Sequence, residues 1–339
     1  MNRSAVLVVL VLAVLATSAG CTGTSPEQTI LTVIPAGSLL YPLENIEAAF
    51  ESQHPEIDVR IEGHGSIQAI RQVTDLEREV DVVAVADASL IPDMMYRLMG
   101  EGGSNYTDWY VAFAGNEVVI AYTNKSAGAD EITQENWYQV LARPDVRVGF
   151  SNPMLDACGY RALMVTALAE EYYGEPGLFE AIIGSSFDPP LTVTRADGIR
   201  KITLPERMRP ADEKVAIRDG SIYLLSLLDA GGIDYAFEYR SVAEEHGLRW
   251  IDLPPQINLG SAEHADDYQK VHVTLGFRRF QSIGSERVGQ PIVYAITIPA
   301  NAPHPDEARM FVDFVLEAFQ EGRPGWPAPE TATVYHATG

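Results

Sequence analysis

From Thr29 onward the chain repeats one hydrophobic rhythm. Residues 29–34 are a short β-prone run that stops at Pro35-Ala36-Gly37-Ser38, and over 41–50 the apolar Leu43, Ile46 and Phe50 fall three and four apart, on one face of a helix. His54-Pro55 ends that helix, and 57–62 alternates apolar with polar as a half-exposed strand does. A second glycine turn, Gly63-His64-Gly65-Ser66, opens a helix over 67–73, and the nearly continuous apolar run 81–87 predicts a strand buried in a parallel sheet. Strands alternating with helices of about ten residues predict an α/β domain whose sheet is covered on both faces. The pattern resumes with a strand over 116–122, a polar stretch at 123–128 where the chain can cross to a second domain, and a strand over 146–150. A helix over 156–169 starts at Asp156, a second over 224–230 is closed by Gly231-Gly232, and 233–239 alternates as a strand. Residues 291–298 predict a last strand and 305–317 an amphipathic helix on Ala308, Phe311, Val312 and Val315, while 322–329 holds too much proline for a regular element. The expectation is two α/β lobes with a ligand crevice between them, lobe one from 30–120 plus 270–339 and lobe two from 121–269.

The first residues follow a different logic. Arg3 precedes an unbroken apolar run over 5–16, and Thr17-Ser18-Ala19-Gly20 then lead to Cys21, which predicts a signal peptide over 1–20. That run is shorter than the roughly 20 residues a membrane-spanning helix needs. Small residues before a cysteine, with the polar Thr22-Gly23-Thr24-Ser25-Pro26-Glu27 after it, resemble a lipoprotein cleavage site, although Ser18 stands where leucine is usual. Cys21 is then the lipidated first residue of the mature chain, 21–29 a tether, and the folded part is held at the extracytoplasmic face of the cell membrane. Secretion without lipid and retention as an uncleaved anchor are the alternatives, and each also places the folded part outside the cell. With Cys21 modified, Cys158 has no partner for a disulfide.

Charge narrows the partners. With 24 basic against 47 acidic residues the formal charge is −23, and no basic footprint for a nucleic-acid backbone is present. There is no His-Glu-x-x-His, Cys-x-x-Cys or Gly-x-Ser-x-Gly, and the 7 histidines are scattered singly. Three predicted helix starts instead carry small or polar residues: Gly37-Ser38-Leu39, Gly65-Ser66 and Asp156-Ala157-Cys158-Gly159. Each offers unpaired N–H groups at the positive end of a helix dipole. Converging across a crevice, they would bind a small doubly charged oxyanion without arginine, since fixed dipoles at contact outweigh a screened distant field. The plainer reading of each serine, and of Asp156, is a helix N-cap. A carboxylate facing an oxyanion is repulsive unless it is protonated or meets a metal centre. Cys158 reads either as a nucleophile at a helix start or as a small residue packed there, and His64 as a ligand contact or a loop residue.

Several runs together carry a resemblance. Ala36-Gly37-Ser38-Leu39, Gly65-Ser66, Asp81-Val82-Val83-Ala84, the segment 156–162, the block 234–243 and Leu253-Pro254-Pro255-Gln256-Ile257-Asn258-Leu259 resemble the archaeal tungstate/molybdate-binding proteins of ABC transporters, over about residues 30–322. The resemblance implies a two-lobed periplasmic-binding-protein-like α/β fold of type II, closing on tungstate or molybdate in the cleft between its lobes. It also implies delivery to the permease and ATPase subunits of a transporter, no catalysed reaction, no cofactor beyond the ligand, and a monomer. Carried onto this chain, it puts the oxyanion against Ser38 with Leu39 beside it, Ser66, the segment Asp156, Ala157 and Cys158, and Tyr239. Two carboxylates complete a six-oxygen shell in the family, one matching Asp156. The other lies eighteen residues before the tyrosine, where this chain has Ser221. A four- or five-coordinate anion is therefore expected, with Asp219 or Glu213 able to substitute only if the backbone shifts. The rival readings are the same fold binding sulfate or phosphate, and a surface-anchored thiol hydrolase built on Cys158, which needs a histidine within hydrogen-bond reach of the sulfur.

Overall fold

The computed structural model describes residues 28–276 and 286–337. The signal peptide, Cys21 and nearly all of the tether lie outside the described residues. In chain order the first lobe opens with β1 (Thr29–Pro35), α1 (Leu40–Gln53), β2 (Ile57–Ile61), α2 (Ser66–Thr74), β3 (Val82–Val85), α3 (Leu90–Met95) and β4 (Trp109–Asn116). The middle of the chain continues with β5 (Val118–Tyr122), α4 (Trp137–Leu141), β6 (Val148–Ser151), α5 (Ala157–Tyr173), α6 (Leu178–Ile182), β7 (Thr192–Ala196), β8 (Ile199–Thr203) and β9 (Val215–Arg218). Then come α7 (Leu225–Ala230), β10 (Tyr235–Tyr239), α8 (Arg240–Glu245), β11 (Arg249–Asp252), α9 (Ala265–Tyr268), β12 (Val271–Thr274), β13 (Glu286–Val288), β14 (Ile292–Thr297), α10 (Pro305–Gln320) and β15 (Ala328–His336).

The alternation of strand and helix has the predicted result. β1 lies between β2 and β3, parallel to both, with Val33 opposite Ile61 on one side and Val82 on the other. The late strand β14 enters antiparallel between β3 and β4, and β15 adds an outer edge, giving the order β15-β4-β14-β3-β1-β2. β3 is buried along its whole length, as its unbroken apolar run requires. Helix α10 sets Ala308, Phe311, Val312 and Val315 into the core, where Phe311 meets Phe50 of α1 edge to face at 5.2 Å. The second lobe repeats the plan in a sheet ordered β11-β5-β10-β6-β9, with β10 parallel to β6 and antiparallel to β5. A smaller sheet, β13-β12-β8-β7, completes it, and β12 packs against α5.

Three expectations need correction. The strand expected over 116–122 is the junction of two, because Glu117 separates β4 of the first sheet from β5 of the second. Both crossing points therefore move: β5 belongs to lobe two although it lies before residue 121, and β12, expected in lobe one, hydrogen-bonds in parallel to β8. The proline-rich tail is regular from Ala328, since Pro329 stands at the start of an edge strand, where a missing N–H is tolerated. Tyr335 of that strand stacks on Tyr110 of β4 at 5.0 Å.

Candidate functional site

The crevice is built from element starts on both lobes. In lobe one β1 ends at Pro35, and Gly37–Leu39 form one 3-10 turn before α1. The Ser38 hydroxyl lies 2.8 Å from the Tyr294 Oη of β14, and the Leu39 amide is already used, donating to the Ala36 carbonyl at 2.8 Å. Ser66 begins α2 and its Oγ accepts the Ala86 amide at 3.1 Å, which leaves the serine's own proton outside that bond. In lobe two Asp156 occupies the N-cap position of α5 in an extended conformation but makes no capping hydrogen bond. Its Oδ2 accepts the Ser221 amide at 3.0 Å, and the Cys158 and Ser66 amides also face the carboxylate and favour its charged form, so the N-cap reading holds for position and in part for chemistry. Ala157 and Cys158 follow as the first residues of α5, where backbone N–H groups have no intrahelical acceptor.

The lobes meet tightly around these residues. The Gln68 amide of α2 donates to the Leu155 carbonyl at 3.1 Å. A Cβ at Gly65 would stand 2.4 Å from that carbonyl oxygen, and one at Gly37 would stand 3.2 Å from Ile222 Cδ1. Arg161 of α5 reaches across, donating from Nη1 to the Ala86 carbonyl at 2.7 Å and to the Tyr239 Oη at 2.6 Å. Its Nη2 lies 3.6 Å from Asp87 Oδ2, which also accepts the Tyr160 hydroxyl. Burial opposes the charge on Asp87, but Arg161, Ser89 and Tyr160 outweigh it and hold the carboxyl below its usual range. The result is a latch from α5 onto the loop after β3.

Of the residues singled out in the sequence, Ser38, Leu39, Ser66, Asp156, Ala157, Cys158, Ser221 and Tyr239 are each at most 5 % exposed. The fold joins Asp156 to Ser221 directly and sets Ser66 next to Gly65, which packs on Leu155 and Asp156. Tyr239 connects through Arg161 to Ala86, and its ring lies 6.2 Å from that of Tyr294, the partner of Ser38. Asp219 and Glu213 are exposed. The Cys158 sulfur has the Phe237 carbonyl at 3.6 Å as its partner, and burial pushes its thiol well above the usual range. No histidine is hydrogen-bonded to it among the described residues, so the condition for a thiol hydrolase is not met.

Sequence reasoning passed over Glu238. It lies in a wholly buried strand, and its Oε1 accepts the Ser221 hydroxyl and the Tyr239 amide, both at 2.8 Å, while Oε2 is buried without a partner. Burial pushes its carboxyl up to about 8, with Asp156 adding to the rise. Burial likewise raises Asp156 against the donors around it, the Ser221 amide among them. An acid inside the run Tyr235-Ala236-Phe237-Glu238-Tyr239 was the available signal, because a buried strand rarely carries an unpaired carboxylate. Arg161, a lone cation in an otherwise apolar stretch of helix, was another.

Two α/β lobes of this strand order, closed on buried amide and hydroxyl donors from both sides, define a two-lobed solute-binding protein of type II. The chain belongs to the bacterial extracellular solute-binding protein family, whose model matches residues 31–321. It is 40% identical over 325 residues to the molybdate/tungstate-binding protein WtpA of Pyrococcus abyssi, covering 92% of this chain and 89% of that one. It is likewise 40% identical to the protein of the same name from Thermococcus kodakarensis, covering 93% and 88%. An uncharacterized solute-binding protein of Methanoculleus marisnigri is 39% identical over 91% of this chain and 87% of its own. Among solved structures, the periplasmic molybdate-binding protein of Azotobacter vinelandii has the same fold, with a TM-score of 0.53 at 15% identity over 86% of this chain and 95% of that one. The sulfate-binding protein SubI of Mycobacterium tuberculosis aligns with a TM-score of 0.51 at 13% identity over 90% and 88%.

Proposed function

We propose that this protein captures tungstate or molybdate outside the cytoplasm and delivers it to the permease and ATPase subunits of an ABC transporter. The observation that carries the reading is the closure of both lobes on one cluster of donors, Ser38 and Ser66 from one side and the start of α5 from the other. Such donors suit a dianion whose oxygens accept hydrogen bonds only. The buried Asp156 among them favours an anion with an electropositive metal centre over sulfate, which has no proton to donate to it. The relatives at 40% identity, molybdate/tungstate-binding by name, support the same ligand. The protein is a binding protein and not an enzyme, as those relatives are. Closing energy favours the liganded form, which is the form a permease can distinguish from the empty one. A monomer, tethered through a lipid on Cys21, fits this role. Calorimetric titration should give tight binding of tungstate and molybdate, with sulfate and phosphate weaker by about a hundredfold or more; equal affinity for sulfate would overturn the choice of ligand. Cys21→Ser should release the protein from membranes or leave its leader uncleaved, and unchanged retention with normal processing would argue against the lipid tether.

A further inference from the structure

We propose that Glu238 is a direct contact of the bound oxyanion, its Oε2 closing on the metal centre as the second carboxylate of the site, with Ser221 as the positioning residue that aims it. The inference rests on the tungstate/molybdate reading and goes beyond it by naming a ligand that the position of Ser221 leaves open. Glu238 is 0% exposed, and its two oxygens are treated very differently. Oε1 takes two hydrogen bonds, from the Ser221 hydroxyl and the Tyr239 amide, whereas Oε2 takes none. A buried oxygen left without a donor costs free energy unless something else occupies it.

Ser221 brings two acids together. Its amide donates to Asp156 Oδ2 at 3.0 Å and its hydroxyl to Glu238 Oε1 at 2.8 Å, so the donors of one residue hold both carboxyl groups at one place. Two carboxyl groups drawn together in a buried site repel each other unless one holds a proton or a positive centre lies between them, and a bound metal centre takes the place of that proton. The nearby cation does not serve, because Arg161 Nη1 is taken by the Ala86 carbonyl and Tyr239, while its Nη2, without a hydrogen bond of its own, faces Asp87 at 3.6 Å. A hexavalent tungsten or molybdenum atom supplies the missing centre, and these metals accept oxygen ligands beyond their four oxo groups, which sulfur in sulfate does not. The acids that sequence spacing offers instead, Glu213 and Asp219, are exposed.

The test uses the mature protein, with tungstate and sulfate as probes and tungsten X-ray absorption as the structural readout. The wild-type complex is expected to show six oxygen neighbours, as an octahedral oxygen shell requires. E238Q should lose one of them and weaken tungstate by about tenfold or more while leaving sulfate unchanged. S221A keeps the carboxylate but not its aim, and should give a smaller loss in the same direction; it also carries the test should E238Q not fold, with ligand-free melting as the check on both. A four-oxygen wild-type shell, six neighbours persisting in E238Q, or tungstate and sulfate changing by the same factor would each overturn the assignment. The last of these would mean that Glu238 is only a buried charge. Failure of the wild type to bind either metal oxyanion would overturn the parent reading and this one together, and is seen before any variant is made.

Discussion

Gly65 shows how a single residue can control closure without touching chemistry. Its φ of −65° is open to any amino acid, so glycine is not required there by backbone conformation. What requires it is the other lobe: an added Cβ would stand 2.4 Å from the Leu155 carbonyl oxygen and 2.8 Å from Asp156 Cβ. Backbone cannot yield as a flexible side chain can. Gly65→Ala should therefore fold and melt normally without ligand, yet bind the anion about tenfold to a hundredfold more weakly. Small-angle scattering should show the variant failing to compact when tungstate is added. Unchanged affinity with normal compaction would mean that the lobes approach less closely in solution than this contact requires.

At the scale of elements, what could be read from the chain is what local pattern determines. The succession β1, α1, β2, α2, β3 was legible because each apolar period is clean and three of its four breaks fall at a Gly-Ser turn or at His54-Pro55. Gly231, expected to close a helix, ends α7 in the left-handed conformation with φ +67°. The hairpin β7–β8 was missed although its turn was written in the sequence. Asp197 and Gly198 both have positive φ, the geometry that an Asp-Gly pair favours, but Thr194-Arg195 and Arg200-Lys201 around it blur the alternation. The edge strand β15 could not be read because each of its residues is exposed, leaving no buried face to set a period. The site divides in the same way. Its helix starts were visible as Ser38, Ser66 and Asp156, whereas the joining of Ser221 to Glu238 depends on a 3-10 turn packing beside a strand 17 residues further on, which no local pattern encodes.

At the scale of the whole molecule, the surplus of acid acts where the lobes face each other. Glu245 of α8 is half-buried, and burial, with the charge of Glu44 on α1 adding to it, pushes its carboxyl up to about 7. His246, 3.2 Å away, gives little relief, since burial holds it toward its neutral form. A carboxyl raised in the folded state favours folding below its unfolded value of 4.5, and that advantage is lost as pH rises through about 7. The melting temperature should accordingly fall between about pH 5 and pH 8, and Glu245→Gln should flatten the profile; an unaltered slope in the variant would assign the effect to other groups. The junction of the lobes adds a mechanical consequence. Between β4 and β5 stands one residue, Glu117, whose carbonyl accepts the Arg240 amide at 3.0 Å and whose carboxylate takes Arg240 and Asn258, each at 2.6 Å. A strand-to-strand join this short, clamped from the side, works as a pivot rather than a flexible tether. Small torsional changes there swing the far rim of each lobe through a long arc, as a door's edge moves far for a slight turn at its jamb. A membrane partner that pressed on the outer rims would hold the long end of such a lever.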